Sequence, residues 1–547
     1  MVRNPRLALL LAAMAALAIT ASSCIPQSRQ PGAVLRLNLS VEPPSADPAL
    51  VEDNSSIQVD ELLFLGLTDL DEETSEPLPE LATRWEVSAD GLVWTFQMRQ
   101  DVPWVQYNPA TGRFSNKRLV TAHDVEYAIK RALEPATASP YAYVLFIIKN
   151  AEPFHVGRLA DAGEVGVRAA GDYAVEFTLE RPAAYFPIIV SMWVARPVPR
   201  EAIEQFGYKW TEAGNIWTNG PYALESWEHE RTLTILRNPS YYKAREVAIE
   251  HVHWSVMPDD VAAFAQYKEG KLDVCTVPVT ELAAVKADAG LSRELHVTPY
   301  MGTYYLGFNT TKPPFDNRLV RQAFSYALDR SSLIAAVSRG EQVRAKSFAG
   351  PGVFGSPVFD AGYAGATFDP ELARTFLADA GYPGGRGLPE ITLTYYASQL
   401  HRQVAESAQR CWRDVLGVEV KVTAQEVKAF LDALRDDAPQ IFSSVWMADY
   451  PDEDNWVFQN FHSAQGANRI RWQNAEFDRL VEEARTSTDL ARRRELYARA
   501  EQILCVDEAA IVPVFHPARS ECTKPYVVRT YSPLGNEHID TWTIKAH

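Results

Sequence analysis

The chain has 547 residues, 47% of them hydrophobic and 22% charged, with 53 Lys and Arg against 70 Asp and Glu for a net charge of −17. A length of this order calls for about two to four domains rather than one core. The acidic excess argues against nucleic acid and an anionic membrane surface as partners and permits a cationic or zwitterionic ligand.

Arg3 and Arg6 precede an apolar run from Leu7 to Thr20 that is too short to span a bilayer. Ala21-Ser22-Ser23 then leads to Cys24. This is the pattern of a secretory signal peptide over 1–23. A Cys directly after small residues is similar to a bacterial lipobox, although Ala21 stands where Leu is usual. The expectation is cleavage before Cys24 and lipidation of its thiol, with 24–32 as a tether; ordinary cleavage nearby is the alternative. Four cysteines remain, Cys275, Cys411, Cys505 and Cys522, without a CxxC. Cys505 and Cys522 are close enough in sequence to pair in an exported chain, but sequence does not settle connectivity.

The first strand is predicted at Val34 to Leu39, followed by a proline-rich loop from Glu42 to Pro48 and a helix reaching Leu67. Alternation at Leu92, Trp94, Phe96 and Met98 predicts a half-buried strand, and Tyr173, Val175, Phe177 and Leu179 another. Thr121 with Asp124 three residues on is a capping box ahead of an apolar helical face. Thr218-Asn219-Gly220-Pro221 marks a turn, and Leu233 and Ile235 a strand. Asp316 or Asn317 caps a helix with a 3.6-residue apolar period, and Asp369-Pro370 opens another that Gly381 closes. Strands near Ile391 and Val420 flank a helix from about Gln399 to Val415, a β-α-β pattern of an α/β lobe. A long helix is predicted from Ala475 to Val506, before a strand at Ile511 to Phe515.

No G-x-S-x-G, H-E-x-x-H, P-loop or G-x-G-x-x-G is present. His251 and His253 share one face of a predicted strand, which reads as a solvated face rather than a metal site. One stretch stands out chemically. The apolar run ending in Trp446-Met447-Ala448 delivers Asp449 and breaks at Pro451, and no Lys or Arg occurs from Asp436 to Asn468. A carboxylate at the end of a buried strand, lacking a local cation, takes its partner either from elsewhere in the fold or from a ligand. Asp452, Glu453 and Asp454 lack the spacing of a calcium loop and read as loop charges.

Seven segments, in order, resemble the oligopeptide-binding proteins of ABC importers, the family 5 extracytoplasmic solute-binding proteins. They are Thr121-Ala122-His123-Asp124-Val125, Thr137-Ala138-Ser139-Pro140-Tyr141-Ala142, Asn215-Ile216-Trp217-Thr218-Asn219-Gly220-Pro221-Tyr222, Gly302-Thr303-Tyr304-Tyr305, Arg321 through Arg330, Trp446-Met447-Ala448-Asp449-Tyr450 and Ala510-Ile511-Val512-Pro513-Val514. The resemblance implies a two-lobed α/β periplasmic-binding-protein fold of class II with a domain inserted in the first lobe. On that mapping lobe I is 33–62, 198–301 and 519–547, the insert 63–197 and lobe II 302–518, with hinges near Met301 and Ala518. It implies a binding protein rather than an enzyme, a monomer without cofactor or metal. Its partners would be a short peptide, a permease with its ATPase, and the membrane through the Cys24 lipid. By the same resemblance Asp449 meets the peptide ammonium, Trp446 positions the ligand backbone, Tyr141 contacts ligand from the insert and Glu52 lies nearby. His401 either meets a peptide carboxylate or faces solvent at a helix N-terminus. Val427, Ser443 and Pro517 replace a pocket Trp, a carboxylate-binding Arg and a Tyr of the family, and Gly302 and Met447 replace a Cys pair. The amine end of the site is thus retained and the far end remodelled. The same fold binding a metal chelate, sugar or opine-like solute, and a surface receptor or adhesin uncoupled from transport, are the alternatives.

Overall fold

A computed structural model describes residues 32–338, 342–358, 360 and 362–547. Cys24, the signal stretch and all of the tether but Gly32 lie outside the described residues.

Val34–Leu39 pairs in parallel with His251–Val256, which is antiparallel to Thr232–Arg237 and through it to Tyr222–Glu228. The first strand of the chain therefore adds beside one more than 200 residues later, as buried odd positions Leu35, Leu37 and Leu39 require a sheet face to cover them. A four-stranded antiparallel sheet, Ala82–Val87, Val93–Met98, Ala174–Thr178 and Val167–Ala169, lies between these segments in sequence. Its Trp94, Phe96 and Phe177 share one apolar core with Leu35, Trp254 and Trp542, so the intervening segment is packed onto the first sheet.

The second body is a six-stranded mixed sheet. Gly302–Phe308, buried at all seven positions, runs antiparallel between Ile441–Met447 and Ile511–His516. Ile391–Tyr396 and Val420–Gln425 extend it in parallel, joined by the helix Gln399–Leu416. Ser398 caps that helix and Gly417 ends it with φ 71°, a left-handed position that glycine occupies without strain. A small sheet of Val274–Thr276, Ala518–Thr523 and Leu295–Pro299 sits where the chain passes between the bodies. Leu295–Pro299 leaves it for Gly302–Phe308 through Tyr300 and Met301, and Ile511–His516 enters it through Pro517. Tyr300 N–H donates to the Pro517 carbonyl at 2.8 Å, so the two crossings lie side by side.

The helix expected to reach Leu67 is Asn54–Leu63. It stops because the Leu63 carbonyl accepts from Asn219 and Gly220 N–H, while the Asn219 side chain takes Leu65 N–H. The single helix expected from Ala475 to Val506 is two, Ala475–Thr486 and Leu490–Gln502, followed by the wide helical turn Ile503–Asp507. Asp489 breaks it by accepting from Ala491 and Arg492 N–H, an N-cap in the middle of an otherwise helical stretch. Cys505 and Cys522 are not brought together. Cys505 lies in the core of the second body and donates to Glu501, whereas Cys522 faces Cys275 across the small sheet, and all four described cysteines are thiols.

Candidate functional site

Asp449 follows the strand Ile441–Met447 at the edge of a cavity of about 370 Å³ between the two bodies. That size is in the range of small-ligand sites. Three of the expected residues meet there: Glu52, ahead of the helix Asn54–Leu63, Tyr141 from the inserted segment, and Asp449. Tyr141 lies between the two carboxylates electrically. Burial raises its phenol to about 12, and the charges of Asp449 and Glu52 add to the effect. Glu52 is exposed and forms no ion pair among the described residues.

Asp449 has no cationic partner among the described residues. Its backbone N–H donates to Asn455 Oδ1 at 3.0 Å, and Asn455 Nδ2 donates to Asp449 Oδ2 at 2.9 Å. The Tyr143 hydroxyl approaches the same carboxylate. Burial raises the Asp449 carboxyl above the ordinary carboxylate range, and Asn455 and Tyr143 oppose that only in part. Neutral donors orient the carboxyl group without supplying a counter-charge.

The acids that follow behave differently. Asp452, Glu453 and Asp454 are fully buried rather than loop charges. Asp452 pairs with Arg493 at 2.8 Å and Asp454 with Arg485 at 3.0 Å. Both arginines come from the two helices after residue 474, outside the cation-free stretch. From this pair a hydrogen-bonded chain returns to the site. Tyr450 Oη donates to Asp454 at 3.0 Å, Gln459 Nε2 to Tyr450 Oη at 2.9 Å, and Asn455 Nδ2 to Gln459 Oε1 at 3.0 Å.

Trp446 and His401 are not brought to the cavity. Trp446 alternates to the opposite strand face from Met447, which does line the cavity, and packs against the core of the second body. His401 is 1% exposed at the first turn of its helix, neither at the cavity nor in solvent. Its Nδ1 lies 2.6 Å from Tyr304 Oη and 2.8 Å from Ser443 Oγ, and the Tyr396 ring packs 3.9 Å away. Burial lowers its imidazole to about 4, which leaves it neutral and unsuited to hold a carboxylate.

Two residues near Asp449 escaped sequence reasoning, Tyr143 beside its carboxylate and Arg519 on the cavity wall. Tyr143 sits two positions after Tyr141, and that spacing was a usable signal. Arg519 lines the cavity from the strand after the second crossing but is engaged by Glu537 at 2.6 Å and Glu521 at 3.3 Å. His251 and His253 hydrogen-bond Glu225 and Thr234, respectively.

Residues 76–468 match the model of the bacterial extracellular solute-binding proteins, family 5. The chain belongs to that family. Family 5 members are binding proteins, not enzymes. The chain is 31% identical to the periplasmic oligopeptide-binding protein OppA of Escherichia coli, over 92% of this chain and 91% of the relative. To the oligopeptide-binding protein OppA of Bacillus subtilis it is 31% identical, over 88% and 87%. Among solved structures, the unliganded open form of the murein tripeptide-binding protein MppA has a TM-score of 0.83 at 27% identity, covering 95% of this chain and 99% of that one. A second MppA structure from Escherichia coli scores 0.70. Haemophilus influenzae OppA in complex with the peptide RPPGFSPFR scores 0.69 at 27% identity, over 95% and 100%. This family 5 chain thus has the two-lobed α/β fold.

Proposed function

We propose that this chain captures short peptides outside the cytoplasm and delivers them, as a monomer without cofactor, to the permease and ATPase of an ABC importer. Export by the signal stretch and lipidation of Cys24 would hold it at the extracytoplasmic face of a membrane. The observation that carries the reading is Asp449, a buried carboxylate without a cation at a cavity between two lobes. A peptide ammonium supplies the missing charge, and closure about the crossings at Tyr300–Met301 and Pro517 removes water from the pair and strengthens it. The names of the relatives support peptides as the ligand class.

Calorimetry with a tripeptide and its N-acetylated form tests this. Binding of the free amine, lost on acetylation and weakened by at least a few kcal/mol in Asp449→Ala, is expected for a desolvated charge pair. Equal affinity for both forms would sink the assignment. Detection of a diacylated or triacylated Cys24 peptide by mass spectrometry checks the anchor.

One relative, 30% identical, is named a probable deoxycholate-binding periplasmic protein, which keeps a non-peptide solute as a second reading. A bile acid has no ammonium and would leave ionised Asp449 desolvated and unpaired.

A further inference from the structure

We infer that Arg181 forms a carboxylate subsite beside Asp449, so that the ligand is read at an ammonium and a neighbouring carboxylate together. This rests on the peptide reading and narrows it to a substrate class.

A ligand carboxylate needs a cation, and the main cavity offers only a committed one. Arg519 is held between Glu537 and Glu521. A second cavity of about 170 Å³ lies between the inserted segment and the loop after Asp449, lined by Tyr143, Arg181, Tyr185, Tyr450 and Gln459. Arg181 has no carboxylate partner among the described residues. Its Nε is buried and bonds nothing, and its Nη2 makes only a long contact of 3.4 Å to Tyr185 Oη. A buried guanidinium N–H without an acceptor is costly, and an anion would satisfy it.

The surrounding charges do not supply that anion. Arg485 and Arg493, which also approach Tyr185, are matched by Asp454 and Asp452. Glu152 on the cavity wall turns to Arg158 at 3.0 Å. The uncompensated charge at this wall is therefore that of Arg181. Tyr143 joins the two subsites, since it lines this cavity while its hydroxyl approaches the Asp449 carboxylate. Tyr143 thus stands between the two, and a ligand that meets both groups presents its ammonium and its carboxylate on either side of that ring. The carboxylate can come from an acidic side chain on the first residue or from the C-terminus of a dipeptide.

Calorimetry on the full chain separates these sources. Glu-Ala-Ala is compared with Gln-Ala-Ala, and Ala-Ala with Ala-Ala-amide, for wild type and Arg181→Gln. A preference of about tenfold or more for the carboxylate member of either pair, falling to about one in the variant, is expected. The first pair responding identifies the side chain, the second the C-terminus. Equal ratios in both proteins overturn the subsite. If no peptide binds, the peptide reading fails, and succinate is titrated instead. A thermal shift present in wild type and absent in Arg181→Gln then supports the subsite, and equal shifts overturn it. Far-UV circular dichroism of the variant checks folding, and Arg181→Lys, which keeps the charge without the fork, should restore part of the ratio.

Discussion

Asp449 and Asn455 are joined at two points, backbone N–H to carboxamide oxygen and carboxamide N–H to carboxylate oxygen, at 3.0 and 2.9 Å. A neutral side chain thus fixes the direction of the anion without supplying a counter-charge. Asn455 is fixed in turn through Gln459, Tyr450 and Asp454 to Arg485. Asn455→Ala removes both bonds and leaves the charge in place. Peptide affinity should fall about five- to tenfold, the scale of one or two modest hydrogen bonds, by calorimetry. An unchanged affinity would mean that the strand alone orients Asp449.

Ligand affinity should also depend on pH in a defined direction. Burial raises the Asp449 carboxyl above its ordinary value, and only the ionised form attracts an ammonium. Affinity is therefore full at neutral pH and declines as pH falls through that raised value, earlier than an exposed aspartate would dictate. Titrations across pH 7 to 4 with a peptide lacking carboxylate side chains check this, and a flat profile would contradict it.

His401 gives a stability prediction with the opposite site content. Its folded pKa is lowered to about 4 by burial, against an unfolded value of about 6.5. The unfolded chain therefore binds the extra proton between those values. The contribution is fully present above pH 6.5 and is lost as pH falls toward 4, on the order of 3 kcal/mol. His401→Asn, which keeps a polar atom toward Tyr304 and Ser443, should flatten this acid limb in thermal melts. Peptide affinity should stay within about twofold, because the ring lies outside the cavity.

Much of the fold was legible because its signals are local. The capping box at Thr121, the alternation at Trp94 and Phe96, and the Asp369-Pro370 start of a helix each lie within a few residues of what they specify. Asp449 was legible as an anomaly, a carboxylate in a stretch without cations. What it lacked and what its neighbours had could not be separated in sequence, since Arg485 and Arg493 enter from helices about 30 to 40 residues downstream. The same limit hid Arg181 and Arg519, whose roles depend on which carboxylates face them across long separations.

That separation makes the last prediction. Asp449 and Asp452 are three residues apart, yet one is an anion without a cation and the other is half of an ion pair with both side chains 1% exposed. Removing the Asp452 charge leaves the buried Arg493, among the described residues, hydrogen-bonded to the Ala484 carbonyl and Tyr497 hydroxyl alone. Asp452→Ala should cost about 3–5 kcal/mol, the scale for breaking a buried pair, and lower the unfolding midpoint of lobe II. Asp449→Asn removes a desolvated charge that no cation offsets, so the ligand-free protein should melt at the same temperature or higher while peptide binding is lost. Scanning calorimetry of both variants with and without peptide reads the two effects separately. A carboxylate whose loss spares the fold and abolishes binding is held for a ligand, and destabilisation by Asp449→Asn comparable to that of Asp452→Ala would return it to the structural class.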